Sequence, residues 1–187
     1  MKLWTIHADY VWGKMQADGV LQGKAELADP LFANAYAWMQ EQMIARIGAP
    51  PPGVSSPLWS WYQYDSVSKP RPDLRRSGHL PRGTNGVMLE VECAADDVLL
   101  SDFLAWHCVL NNWYYITNEA ELAVYYALPA SERQRYKRAT WKCIFDLNFP
   151  DPDGYITSAL PDERAIQATF WQLRLEQVTK VTLFVAR

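Results

Sequence analysis

The chain lacks each of the short motifs that announce a chemistry by themselves. It has no Gly-rich phosphate loop of the P-loop kind, no GxGxxG, no GxSxG and no HExxH. P-loop nucleotide hydrolysis, a Rossmann dinucleotide site, an α/β-hydrolase serine and a zinc-peptidase centre are thereby set aside. Cysteine and histidine are scarce, three of each. Cys93, Cys108 and Cys143 are far apart, and none stands at zinc-ligand spacing from another or from a histidine. Neither a disulfide framework nor a bound metal is expected, and the thiols read as small buried hydrophobes. Asp96–Asp97 and Asp151–Asp153 are acidic pairs without a histidine at useful spacing, and turns use Asp for local hydrogen bonds. No apolar run approaches the roughly 18 residues of a membrane span, and "MKLWTIHADYVW" has no secretory apolar core. No membrane partner is expected, and the reading is a cytoplasmic protein of bacterial type. A net charge of −3 argues against a basic surface over the whole molecule but leaves room for a local phosphate-binding patch.

What the chain does have is apolar mass and tryptophan. At 187 residues, 49% of them apolar, it can core one domain spanning 1–187. Most of the nine tryptophans are expected in that core, each N–H finding a carbonyl. Lys2 to Ile6 reads as a strand, and Asp9 to Asp18 as a helix stopped by Gly19. In "DPLFANAYAWMQEQMIARIG" Asp29 caps, Pro30 suits the first turn, and Phe32, Tyr36, Met39, Met43 and Ile47 recur at helical spacing. "APPPG" breaks the chain. Leu58 to Tyr64 and Val87 to Cys93 read as strands. Ser101 is placed as the cap of a helix whose face holds Phe103, Trp106, His107, Leu110 and Tyr114, with His107 a core histidine. "NEAE" at Asn118 caps another helix, and Ser131 begins a basic one carrying Tyr136, Thr140, Cys143, Ile144 and Leu147. "NFPDPDGY" is a turn cluster, and "AIQATFWQL" and "VTKVTLFVA" close the chain as strands. The order β-α-α-β-β-α-α-α-β-β implies an α+β fold with a mixed or mostly antiparallel sheet.

One stretch carries a chemical signal. Trp59, Trp61, Tyr62 and Tyr64 are followed by Lys69, Arg71, Arg75, Arg76 and Arg82, with Asp65 and Asp73 as the nearby countercharge. Ser66 to Gly86 has no sustained period and is expected as a long loop, a kind usually functional or disordered. Guanidinium groups hold phosphate, and aromatic faces stack a base or nicotinamide ring. Two readings stay open: a site for a nucleotide or nucleic acid, or a solvated basic loop paired with Asp73, Glu90 and Glu92. His79, between Gly78 and Leu80, is a candidate for acid–base work. In the run from Ile166, the residues Ile166, Ala168 and Phe170 take the core face. Gln167, Thr169 and Trp171 then face either a cleft or a covering helix.

Several segments, "LWTI", "RPDLRRSGHLPRG", "VLLSDFLAWHCVLN", "WKCIFDL" and "IQATFWQL", together resemble a bacterial domain-of-unknown-function family along nearly the whole chain. More distantly, "LWTIHADYVWGKMQADGVLQG", "VMLEVECAADDVLLSDFLAWH" and "AIQATFWQLRLEQVTKVTLF" resemble the ADP-ribosyltransferase fold. That resemblance implies NAD as cofactor and transfer of ADP-ribose or cleavage of NAD. It puts Gln167 where those enzymes carry a catalytic Glu, and the first-strand polar residue near Trp4 or Thr5, or at His7. On this reading Gln167 and His79 are catalytic. Thr5, His7, Trp59, Trp61, Tyr62, Arg71, Arg75, Arg82 and Trp171 bind the nucleotide. The other readings are a module gripping nucleic acid or a protein partner through residues 58–82, and a tryptophan-rich patch for self-association.

Overall fold

The computed structural model describes residues 1–116, 118–151 and 153–187. Six strands form one sheet in the order β5-β6-β3-β1-β4-β8, and every neighbouring pair is antiparallel. They are β1 (Lys2–Ala8), β3 (Leu58–Gln63), β4 (Asn85–Glu92), β5 (Leu99–Asp102), β6 (Ile166–Phe170) and β8 (Val178–Val185). Two three-residue strands, β2 (Val20–Gln22) and β7 (Gln172–Arg174), pair in a small second sheet. With five α-helices among the described residues the fold is α+β, and the six-stranded sheet is antiparallel throughout.

Helix α1 (Asp9–Asp18) covers one sheet face. Its Met15 is buried with Leu3, Leu58, Val87, Leu89, Val91, Ala168 and Phe170. Gly19 ends it in the left-handed conformation at φ 72°, donating its N–H to the Met15 carbonyl, the conformation that glycine adopts at least cost. The other face is covered near β5 and β6 by α2 (Ala33–Ile47), α3 (Phe103–Leu110) and the turn Trp141–Phe145. Trp38, Met39, Met43, Trp106, Trp141 and Ile144 interlock there. Asp29 accepts the N–H of Leu31 as expected of a cap. Pro30–Phe32 forms a single 3-10 turn before the helix proper begins at Ala33.

Three expectations are corrected. The cap of α3 is Asp102, which accepts from the Ala105 N–H at 2.9 Å, and not Ser101. Residues 99–102 pair with β6 as a strand first, so Ser101 is spent on the sheet. Helix α3 stops at Leu110, where Asn112 has φ 54°. Tyr114 therefore lies beyond it and stacks on Tyr125 of α4 (Glu119–Ala127) and on Tyr136 of α5 (Ala130–Thr140). Helix α5 ends at Thr140, so Cys143 and Ile144 belong to the 3-10 turn that follows. In "NFPDPDGY" the described part is a turn region with Gly154 at φ 65°, and Pro152 lies outside the described residues. Among the tryptophans, Trp4, Trp38, Trp106, Trp141 and Trp171 are buried, while Trp113 is exposed.

Candidate functional site

The site forms where the two covers of one sheet face fail to meet. Over β5 and β6 that face lies under α2 and α3, and over β4 and β8 it is met by the segment 64–84, where Arg71 reaches Glu90 and His79 packs on Phe184. A cleft of about 710 Å³ opens between them. Its floor is Ile6, Trp59, Trp61 and Gln167, one wall is Tyr36, Phe103, Trp106 and Leu110, and the other is Tyr64, Arg76, Gly78 and His79. Strand parity sets the floor, because Trp61 is in register with Gln167 and Trp59 with Thr169, and paired residues point to one side. The rings brace one another. Trp59 is 5.1 Å from Trp106 and 6.2 Å from Tyr36. Trp61 meets Phe103 and Tyr64 edge-on at 4.8 and 4.9 Å. Gln167 is buried and donates its Nε2 to Ser101 Oγ at 3.1 Å, which leaves its amide oxygen as an acceptor.

The long segment is held in place by its own hydrogen bonds. Tyr64 N–H donates to Pro70 O, Asp65 N–H to Lys69 O, Val67 N–H to Asp162 O and Gly83 N–H to Ala186 O. Its cations are paired locally. Arg76 grips Asp65 through both terminal nitrogens at 2.8 and 2.7 Å, and Arg75 does the same to Asp73 through Nε and Nη2. Arg71 lies 3.4 Å from Glu90. The Arg75 guanidinium holds the Asp73 carboxyl well below the usual carboxylate range. His79 shares a hydrogen bond with the Asp73 carbonyl at 2.9 Å and packs 5.4 Å from Tyr64. A second, open hollow of about 760 Å³ is lined by Lys69, Arg71, Arg75 and Arg76 with Asp65 and Asp73. The two hollows share Asp65 and Arg76. An aromatic slot thus adjoins a basin with four cations against two carboxylates.

Of the residues singled out in the sequence, the cleft gathers Trp59, Trp61, His79 and Gln167, and the basin gathers Arg71 and Arg75. The others lie elsewhere. Thr5 and His7 point to the opposite sheet face, because Thr5 is in register with Leu89 and His7 with Val87, both buried under α1. There Thr5 Oγ1 donates to Trp59 O and lies 2.8 Å from His7 Nε2. Burial pushes the His7 imidazole down to about 4. Tyr62 falls at the β3 irregularity between Trp61 and Gln63 and is exposed. Arg82 is exposed outside both hollows. Trp171 is buried against the helical layer, donating Nε1 to Gly48 O at 2.9 Å. Thr169 is fully buried with its hydroxyl on Leu99 O. The alternating face of β6 is therefore cleft floor at Gln167 and helix-covered core at Thr169 and Trp171. His107 is partly buried with Nδ1 2.9 Å from Phe103 O.

Sequence reasoning passed over Arg76, Tyr64 and Glu163 as site residues, and it took Tyr36, Phe103 and Trp106 as core alone. The last three are half core and half wall, a distinction that apolar spacing does not carry. Glu163 arrives through the segment before β6. There the fully buried Arg164 donates to the carbonyls of Leu147, Phe149 and Ser158 and lies 3.9 Å from Asp102. Burial pushes the Cys93 and Cys108 thiols up to about 11 and about 12. Among the described residues no group of three or more His, Cys, Asp or Glu is placed to hold a metal ion, and no helix is long and apolar enough to cross a membrane.

Neither the curated proteins nor the solved structures yield a significant match to the chain. A family model does match, over residues 2–137, a span that includes Trp59, Trp61, Arg76 and His79 and stops short of Gln167. On that match the chain belongs to the family described as "Domain of unknown function (DUF3841)".

Proposed function

We propose that the chain binds a nucleotide, with the planar ring in the aromatic cleft and the phosphates in the adjoining basic basin, and that NAD or its ADP-ribose portion is the ligand class to test first. The observation that carries this reading is the shared border at Arg76. A ligand with a flat apolar end and an anionic end matches the two hollows in order. Trp59, Trp61 and Trp106 offer ring faces and edges for stacking. Lys69, Arg71 and Arg75 offer charge-assisted hydrogen bonds to phosphate, with Arg76 at the junction. The Gln167 amide oxygen on the floor is available to a ribose hydroxyl.

The finer reading, transfer of ADP-ribose or cleavage of NAD, rests on the resemblance of the sequence and on the place of Gln167 in the cleft. A neutral amide orients a hydroxyl but supplies no negative charge to an oxocarbenium-like state. Of the two carboxylates at the cleft, Asp65 is gripped by Arg76, and Glu163, which accepts from Ser158 Oγ, has no arginine partner among the described residues. Titration calorimetry with NAD, ADP-ribose and ATP tests ligand binding on the native protein and on Arg76→Ala. Binding weakened in the variant with folding intact is the expected result, and equal affinities for the two proteins contradict it.

A second reading has its own support in the openness of the basin, since single-stranded nucleic acid also combines stacked bases with phosphates. Its mark is an affinity for short oligonucleotides that falls steeply as salt rises.

A further inference from the structure

Strand β8 is an outer edge of the six-stranded sheet, and among the described residues β4 is its only partner. The buried face under α1 does not end where the cover ends. Val181 is in register with the buried Leu89 and Leu183 with the buried Val87, so the apolar face runs outward onto β8. There it stands in solvent: Val181 is 37% exposed, Leu183 69% and Val185 60%. The backbone of the same three residues is also open. Ala186 turns its N–H and C=O toward Thr84 and Gly83. Successive residues of a strand direct these groups to alternate sides, so Val185, Leu183 and Val181 direct theirs away from β4. Edge strands are normally blunted by charge, proline or a bulge on the open side. The segment Val178–Val185 contains no proline, and its one irregularity, at Thr179 opposite Glu90 and Val91, lies outside the stretch 181–185. Its one ionisable side chain, Lys180, points to the other sheet face and lies 3.7 Å from Glu90.

We propose that β8 pairs with β8 of a second copy of this chain, antiparallel about a twofold axis at Leu183. The backbone fixes the kind of partner, since a row of outward N–H and C=O groups is satisfied by another extended strand. The side chains fix which strand. With Leu183 opposite Leu183 of the second copy, Val181 falls opposite Val185 and Val185 opposite Val181, so every exposed apolar residue of the edge meets another. In that register all three pairs are the mutually hydrogen-bonded kind. The pairing is isologous, as twofold dimers require, and Lys180, beside Glu90 on the other sheet face, lies outside the paired apolar row. The two sheets become one continuous sheet. A single eight-residue strand spans only about 27 Å, and the strip it covers is smaller than the roughly 1,200–2,000 Å² of a standard stable interface. The dimer is therefore concentration-dependent, with dissociation in the micromolar range. The cleft lies over β6, β3 and β1, on the other side of β4 from this edge, so pairing leaves both clefts open.

Sedimentation velocity of the full chain, from sub-micromolar to hundreds of micromolar, tests the proposal beside two variants. Leu183→Lys places a charge on the twofold axis and removes two buried leucines per dimer. Leu183→Pro removes an outward N–H that the native ladder does not use. The native chain is expected to pass from monomer to dimer over that range. Both variants should raise the dissociation constant by about 100-fold or more with far-UV circular dichroism unchanged. A native chain that stays monomeric throughout overturns the proposal, and so does a dimer that persists in Leu183→Lys. Should Leu183→Pro fail to fold, Leu183→Lys and Val181→Glu carry the same test. Nucleotide affinity is expected to be equal in native and variant proteins, so the outcome here is separable from that at the cleft.

Discussion

The two faces of the central sheet are made from the same strands and are finished differently. Under α1 the face is closed: Leu3, Met15, Val87, Leu89 and Val91 have no solvent exposure. On the opposite face the covering helices and the 64–84 segment leave a gap, and half-buried rings line it. One residue of register separates the two fates. Trp4 and Ile6 belong to the open side, and Leu3, Thr5 and His7 to the closed one. A chemically attractive residue such as His7 is thereby removed from the site by strand parity alone, and burial leaves its imidazole neutral at pH 7. Chemistry needs the right residue types on the right face.

The largest expected contrast comes from emptying each face in turn. Leu89→Ala should cost about 2–5 kcal/mol of stability, because a fully buried leucine leaves a cavity that its neighbours fill only in part. Where that variant folds, its ligand affinity should be native. Trp61→Ala should do the reverse in emphasis, with a smaller loss of stability and a loss of nucleotide binding, read by urea unfolding and calorimetry on the same samples.

Acid sharpens the comparison next. His7 has a folded-state value of about 4 against 6.5 ordinarily. Between those values the unfolded chain holds a proton that the folded chain does not, so stability rises with pH across the window and is lost as the pH falls from about 6.5 to about 4. The loss should reach about 3 kcal/mol. His7→Gln should flatten that part of the stability profile, while His79→Gln, on the open face, should leave it in place.

The cations of the basin come last in stability and act on binding alone. Arg75 is exposed and Asp73 half-buried, and ion pairs open to solvent contribute little. Arg75→Ala should therefore change stability by no more than about 0.5 kcal/mol while weakening nucleotide binding several-fold. Arg76→Ala should weaken it about tenfold, because charge-assisted bonds are the stronger class.

Most of the frame was legible in the sequence. Apolar and aromatic runs marked β1, β3, β4, β6 and β8, and the Asp29, Gly19 and Asn118 signals marked helix ends that the structure keeps. The three-residue β2 and β7 are too short for a period to register. β5 was hidden because "LLSD" runs directly into the helix, and its Asp was one residue past the serine chosen as cap. At the site, the aromatic and basic composition pointed to residues 59–82. Its division into cleft and basin was not legible, since that depends on which parity faces the gap and on carboxylates that meet their arginines only after folding. Arg76 is the case in point. It is one of five similar cations in the string, and only its grip on Asp65 puts it at the border of both hollows.

The most direct test of the account is the thermal shift of the purified chain with NAD, ADP-ribose, ATP and a short oligonucleotide at low and high salt. A ligand that binds only the folded state must raise the melting temperature. The account predicts a rise of several degrees with at least one of the nucleotides at saturating concentration, reduced in Arg76→Ala. A flat response to all three nucleotides, with or without a salt-sensitive shift by the oligonucleotide, contradicts it.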